Sequence, residues 1–133
     1  MKKGPAIVVI GEREASHIVI EPTAKVVSGW RTVNISVRCG AWGGHYAGQF
    51  MEGELKRFGK EVEFFSENRR PTAELHSAEH YLLMKLVNDG HGKIYAEGEA
   101  RERMGAKTAL AFEFEVDPAT LPAMARALIE ADG

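Results

Sequence analysis

Apolar and polar residues alternate in the first third of the chain, as expected of β-strands. The clearest case is 32–39, where every second residue is apolar and its neighbours are polar, the pattern of a strand with one buried face. Shorter β-branched runs at 6–10 and 18–20 predict two more strands. The glycine-rich stretch 40–48 predicts a turn that leads into a short strand ending near Met51.

A helical spacing replaces this alternation in the middle of the chain. Apolar residues recur there at three- and four-residue steps, at Leu55, Phe58, Val62 and Phe65. Charged residues fill the gaps, so the pattern predicts an amphipathic helix over 52–67 that ends in the segment before Pro71. Gly59 costs such a helix about 1 kcal/mol relative to alanine, and close packing against a sheet is the expected reason for its presence.

The second half of the chain predicts a β-meander followed by a closing helix. Turns at 88–92 and 104–106 separate strand-like runs. Asp117 and Pro118 offer an N-cap and a first-turn proline for the last helix, and Pro122 indicates that its regular part begins after Pro118. No internal sequence repeat or linker is evident.

The register of this meander follows from which side chains must share the buried face. Pairing Arg103 with Lys107 across the second turn places small residues opposite larger ones on one face in three of four pairs, which are Ala100–Leu110, Gly98–Phe112, Ala96–Phe114 and Ile94–Val116. Across the first turn the same face continues with the pairs Leu86–Ile94, Met84–Ala96 and Leu82–Gly98.

This register also fixes the outward face of the meander. Glu97 is predicted to lie opposite Glu113, and the same face is predicted to carry Glu99, Glu115, Tyr95 and Tyr81. Like charges opposed across strands destabilise a sheet, so the arrangement needs a reason. One interpretation is a solvated face balanced by nearby basic residues or partly covered by a helix. The other is a docking surface for a positively charged partner.

Composition places the chain among ordinary globular proteins. Of its 133 residues 44% are hydrophobic and 27% charged, and the net charge is −2, so no broad basic field is present to hold nucleic acid. Cys39 is the lone cysteine, which excludes an internal disulfide. Residues 1–5 carry positive charge, but the apolar run 6–10 is too short for a signal peptide, and no run reaches the length of a membrane span. We therefore expect a cytoplasmic protein that binds neither membranes nor nucleic acid.

Motifs for catalysis and cofactor binding are weak. His76, Glu79 and His80 match the H-x-x-E-H pattern of some zinc proteases, but that chemistry needs a helix, and the next residues read as a strand. The glycines at 40–48 lack the spacing of a phosphate or dinucleotide loop. We expect no metal, no cofactor and no catalytic residue.

Several features of the second two-thirds of the chain occur together. They are an extended segment with Trp42 and Gly48, then Glu54, Leu55 and Phe58 on a short helix, the turn 89–92, and the ending with 110–114, Val116, Asp117, Leu121 and a final helix. In this combination the chain resembles the WapI-type immunity family, small bacterial proteins that neutralise a sibling-directed toxin. The resemblance implies a non-catalytic protein that binds a cognate toxin and occludes its site, a nuclease being one candidate.

The expected fold is α+β. It is a mainly antiparallel curved sheet or sandwich of about six or seven strands with two packed helices, in a single domain over 1–133. Two other functions stay open beside toxin binding. One is a small-molecule binding domain with a pocket between sheet and helices lined by Trp42 and Tyr46. The other is a small metal-dependent enzyme built on scattered His and Glu residues.

Overall fold

Strands and helices follow one another along residues 6–132, the part of the chain that the computed structural model describes. The first half contains β1 (Val8–Gly11), β2 (His17–Pro22), β3 (Trp30–Cys39), β4 (Trp42–Met51) and α1 (Glu54–Ser66). The second half contains β5 (Thr72–His76), β6 (Leu82–Asn88), β7 (Ile94–Ala100), β8 (Leu110–Val116), a 3₁₀ turn (Pro118–Thr120) and α2 (Leu121–Asp132). The N-terminal segment 1–5, used above to argue against a signal peptide, lies outside the described residues.

Two units of the same topology make up this fold. In each unit four strands pair in sequence order as an antiparallel sheet and a helix follows, so that β1–β4 with α1 form the first unit and β5–β8 with α2 the second. The α+β class with antiparallel sheets and two helices is confirmed. The described residues hold eight strands rather than six or seven, because β5 has only two apolar residues, Ala73 and Leu75, and was too short to stand out.

The glycine-rich segment is a strand rather than a turn, so the prediction for 40–48 was wrong in extent. The turn is only Gly40 and Ala41, with Gly40 at a positive φ of 61°. From there β4 pairs with β3 along its whole length, from Trp42 opposite Cys39 to Met51 opposite Trp30. A β-ladder is held by backbone groups, so the lack of side chains does not prevent pairing.

Pairing of the last two strands follows the predicted register. Ala100, Gly98, Ala96 and Ile94 lie opposite Leu110, Phe112, Phe114 and Val116. The β6–β7 register was wrong by two residues, because Leu86 lies opposite Ala96 and Asn88 opposite Ile94. The turn is tighter than predicted, since the side chains of Asn88 and Asp89 accept hydrogen bonds from Gly90, His91 and Lys93. A shift of two keeps every side chain on its predicted face.

Both helices pack against each other and against the inward faces of the sheets. One cluster of buried side chains includes residues from both sheets and both helices. Gly59 lies at the helix–helix contact, where a Cβ atom would lie 2.9 Å from the carbonyl oxygen of Ala125 and 3.0 Å from Leu128 Cβ. Gly59 therefore allows close packing as expected, but its neighbour is helix α2 and not a sheet.

Asp132 joins the end of the second unit to the helix of the first. Its carboxylate accepts hydrogen bonds from the backbone N–H groups of Gly53 and Lys56, both at 2.8 Å. These groups belong to the start of α1, which Gly53 caps without any side-chain bond of its own. The start of the last helical segment is instead capped locally, as predicted, by Asp117, which accepts from Ala119 N at 3.0 Å. Neither helix in the described range has the length and hydrophobicity needed to cross a membrane.

Candidate functional site

The outward face of the second sheet presents three rows of side chains across its four strands. The middle row is Glu74, Lys85, Glu97 and Glu113. The row on one side is Thr72, Val87, Tyr95 and Glu115, and the row on the other side is His76, Leu83, Glu99 and Ala111. We call this surface the acidic face, defined by Glu74, Glu97, Glu99, Glu113 and Glu115.

A groove of about 490 Å³ crosses the acidic face. Its apolar lining includes Leu83 on β6 and Ala111 on β8, and Gly98 on the intervening strand β7 also borders it. Glu97, Glu99 and Glu113 also line the groove, together with one lysine, Lys85, which lies opposite Glu97. A groove with an apolar floor and acidic walls matches a long cationic side chain, whose stem is apolar and whose head is charged.

Charge on this face is only partly balanced. Glu99 pairs with Arg101 at 3.0 Å, and Glu115 pairs with Lys93 at 3.5 Å. Glu97 and Glu113 lie directly opposite each other, as predicted, and neither has a basic group within 4.0 Å among residues 6–132. The centre of the face therefore carries two adjacent carboxylates that repel each other.

The two tyrosines predicted for this face lie in different places. Tyr95 is on it, directly opposite Glu115. Tyr81 packs against the core, where a Cβ atom at Gly48 of β4 would lie 3.1 Å from its Cγ. The prediction extended the alternation of β6 one residue too far: the strand begins at Leu82, and His80, at a positive φ of 58°, turns the chain just before it.

Glu74 is the acidic residue that sequence reasoning missed. It lies on β5 opposite Lys85, and its side chain is 40% exposed. The sequence pattern of strand β5 is the short alternation of Thr72–His76, in which Ala73 and Leu75 are buried and the residues beside them are not. A five-residue strand gives too few positions for this pattern to be distinguished from a loop.

The His76, Glu79 and His80 pattern does not form a helical site. His76 ends β5, is 75% exposed and lies 3.4 Å from Glu74, whereas Glu79 and His80 lie in the turn before β6. Within residues 6–132 no three His, Cys, Asp or Glu side chains form a group that could hold a metal ion.

Trp42 and Tyr46 lie in different surroundings. Trp42 is 72% exposed. Tyr46 borders a cavity of about 220 Å³ between β4 and the β7–β8 loop, and Trp42 is not among the described residues that line it. The Tyr46 hydroxyl donates a hydrogen bond to the backbone oxygen of Tyr81 at 2.6 Å, and burial raises the pKa of Tyr46 above its ordinary value of 10.0. Tyr46 thus links the two units.

Comparison with known proteins identifies one matching family and one solved structure of similar fold. The model of the "Immunity protein WapI-like family" matches residues 12–131. No curated protein is significantly similar to the chain in sequence. A solved structure described as "Crystal structures of trypanosoma bruciei MRP1/MRP2" is similar with a TM-score of 0.53 at 14% identity, over 98% of this chain and 84% of that one. At this identity the likeness concerns the fold alone.

Proposed function

Because the chain belongs to the immunity protein WapI-like family, we propose that it neutralises a protein toxin by binding it through the acidic face. The family supplies the general role, that of an immunity protein. The acidic face supplies a surface suited to the role. Binding without chemistry is sufficient for such a protein, since occluding the toxin's site stops its activity.

The facing pair Glu97 and Glu113 is the observation that carries this proposal. Like charges on adjacent strands lower the stability of the sheet, so their presence at the centre of an exposed face favours a role outside folding. Each is open to a basic partner, because neither carboxylate is paired in the described part of the chain. A partner that brings arginine or lysine side chains into the groove removes the repulsion and gains attraction at the same time.

The partner expected from this chemistry is a toxin with a basic functional surface. A nuclease is the candidate class, because a groove that binds nucleic acid phosphates is rich in lysine and arginine. The acidic face then occupies the groove in place of the nucleic acid. We place this encounter in the cytoplasm, where a nuclease would meet its substrate.

The test uses a nuclease toxin domain sought among the genes that neighbour the gene for this chain, in a catalytically inactive form. In the double variant Glu97→Lys and Glu113→Lys the two facing groups still repel each other while their charge is reversed. Because Lys85 lies opposite residue 97, urea unfolding is measured first to show that the variant is folded. We expect the association rate to fall at least about 10-fold and the salt dependence of binding to disappear or invert. Both are measured by surface plasmon resonance at several ionic strengths.

A matched control reverses two glutamates elsewhere. Glu21 lies on the outward face of the first sheet and Glu130 on α2, and both are exposed. The variant Glu21→Lys, Glu130→Lys has the same net charge as the test variant, and we expect its association rate to stay within about 2-fold of natural, apart from the general effect of net charge. Equal rates and equal salt dependence for the two double variants would reject the acidic face as the binding site.

A further inference from the structure

Trp42 is the most exposed large apolar side chain among residues 6–132, at 72%. An indole ring buries a large apolar area when it is covered, so leaving it in water forgoes that stabilisation. It also lies outside the buried cluster and the residues packed on it. The fold of the described chain therefore gives Trp42 no packing role.

The position of Trp42 is fixed by the β3–β4 hairpin that carries it. Trp42 pairs directly with Cys39, and the Cys39 thiol donates to the backbone oxygen of Glu113 at 3.4 Å. Cβ atoms of directly opposed residues lie about 5 Å apart, which places Trp42 on the order of 10 Å from the β8 backbone at Glu113. The backbone that carries Trp42 therefore lies near the β8 edge of the acidic face.

A second acidic cavity lies near the same hairpin tip. It has a volume of about 470 Å³, and its lining includes Glu12, Ser16, Glu115 and Asp117. The backbone N–H of Gly40, in the hairpin turn, donates to the Ser16 hydroxyl at 3.2 Å. The hairpin thus contacts residues of both cavities, at Glu113 and at Ser16, and negative charge continues around the β8 edge.

We infer that Trp42 is an apolar anchor of the toxin interface, inserted into an apolar depression of a partner whose basic side chains flank that depression and enter the acidic cavities. This inference rests on the proposed function and extends the binding surface from the second unit to the first. Tryptophan is enriched among the residues that contribute most to binding in protein interfaces, and the rim around such a centre is polar.

The anchor and the carboxylates act on different steps of binding. Exposed charges steer the encounter and set the association rate, which is sensitive to salt. A buried indole contributes short-range contact that is lost only when the complex separates, so it sets the dissociation rate. The variants of Trp42 and of Glu97 with Glu113 should therefore differ in which rate constant changes.

The first experiment measures binding of the inactive toxin domain to Trp42→Ala. We expect the affinity to fall about 30-fold or more, almost all of it through faster dissociation, with an unchanged salt dependence of association. The matched control is Val27→Ala, which removes a 68% exposed apolar side chain near the start of β3, at the opposite end of the first sheet. Its affinity should stay within about 2-fold of natural.

The second experiment reports on burial of the ring itself. In Trp30→Phe the one remaining tryptophan is Trp42, so its fluorescence should move to shorter wavelength and become protected from acrylamide when the toxin domain is added. If Trp30→Phe does not fold, the difference between the natural chain and Trp42→Phe, each with and without toxin, isolates the same signal.

The outcomes separate the two proposals. If the glutamate reversals weaken binding while Trp42→Ala dissociates at the natural rate and the ring stays quenchable, Trp42 is not an anchor and the proposed function stands. If Trp42→Ala weakens binding and the glutamate reversals do not, the acidic face is rejected. If the natural chain neither binds nor neutralises the toxin domain, both proposals fail.

Discussion

The two units share one topology, but their outward faces differ in chemistry. The outward face of the first sheet has one acidic residue, Glu21, and one permanently cationic residue, Arg38, among its described paired positions. Its other polar positions are neutral residues and histidines, and Ser36 hydrogen-bonds His45 at 2.9 Å. The second sheet carries the acidic face instead. The inward faces, in contrast, are apolar in both units apart from Arg31, which lies opposite Phe50 near the start of β3. Folding constrains the inward positions, whereas the outward positions are free to be used for binding.

Substitution of one strand glycine in each sheet tests how the two units differ in packing and has the largest expected effect. Gly98 in β7 has the carbonyl oxygen of Leu83 only 1.9 Å and Met84 Cα 2.9 Å from where a Cβ would lie, whereas Gly44 in β4 has open space. Gly98→Ala must push the β6 backbone away, and we expect a loss of more than about 3 kcal/mol in urea unfolding.

The matched variant Gly44→Ala should change the free energy of unfolding by less than about 0.5 kcal/mol, because its backbone is unstrained and a side chain restricts the unfolded state. Similar losses for both variants would mean that the groove floor of the second sheet is no more tightly packed than the first.

Tyr46 tests the link between the units. Tyr46→Phe removes its hydrogen bond to Tyr81 and should cost about 1 kcal/mol at neutral pH. Burial raises the pKa of Tyr46 in the folded state above its ordinary value of 10.0, so the folded state holds this proton more tightly than the unfolded state does. The protonated Tyr46 hydroxyl therefore makes its full contribution to the free energy of unfolding below about pH 10, and this contribution decreases as the pH rises further.

Tyr46→Phe should lose that alkaline dependence, measured as the free energy of unfolding between pH 8 and 11. Tyr95→Phe, a change on the exposed side of the second sheet, should keep the alkaline decline of the natural chain. An identical decline in Tyr46→Phe would show that the tyrosine is not shielded at the junction.

Relief of repulsion on the acidic face is the smallest expected effect. Glu97→Gln removes one of the two facing charges. Because Glu97 also lies opposite Lys85, the lost attraction offsets part of the gain, and the chain should be stabilised by at most a few tenths of a kcal/mol. The gain should shrink in 1 M salt, which screens exposed charges. Glu21→Gln on the first sheet should show no such salt-sensitive gain. A destabilised Glu97→Gln would mean that the carboxylate supports the fold.

Sequence patterns predicted those strands and helices in which regularly spaced apolar side chains mark the buried face. The β7–β8 pairing came from matching small and large residues, and the helix over 52–67 came from its apolar spacing. Three features had no such signal. The pairing of β4 depends on backbone groups, β5 is very short, and the β6–β7 shift depends on side-chain hydrogen bonds within the turn at Asn88 and Asp89.

The candidate site was predictable to a similar degree. The positions of four of its glutamates and of Tyr95 were predicted from the register, because successive side chains of a strand point to opposite faces of the sheet. Tyr81 was placed wrongly because the strand starts after it, and Glu74 was missed with its strand. The hydrogen bond from the Cys39 thiol at the end of β3 to the backbone oxygen of Glu113 on β8 joins residues far apart in the chain, which no local pattern reports. A single domain over 1–133 stays a prediction.

The hydrogen bonds that Asp132 accepts affect the order in which parts of the chain can fold during synthesis on the ribosome. Helix α1 is synthesised before α2, yet two of its first N–H groups have as their hydrogen-bond partner a carboxylate that is added about eighty residues later. The first half therefore emerges from the exit tunnel with an incomplete helix start, and it gains its last stabilising contacts only after the second half has appeared.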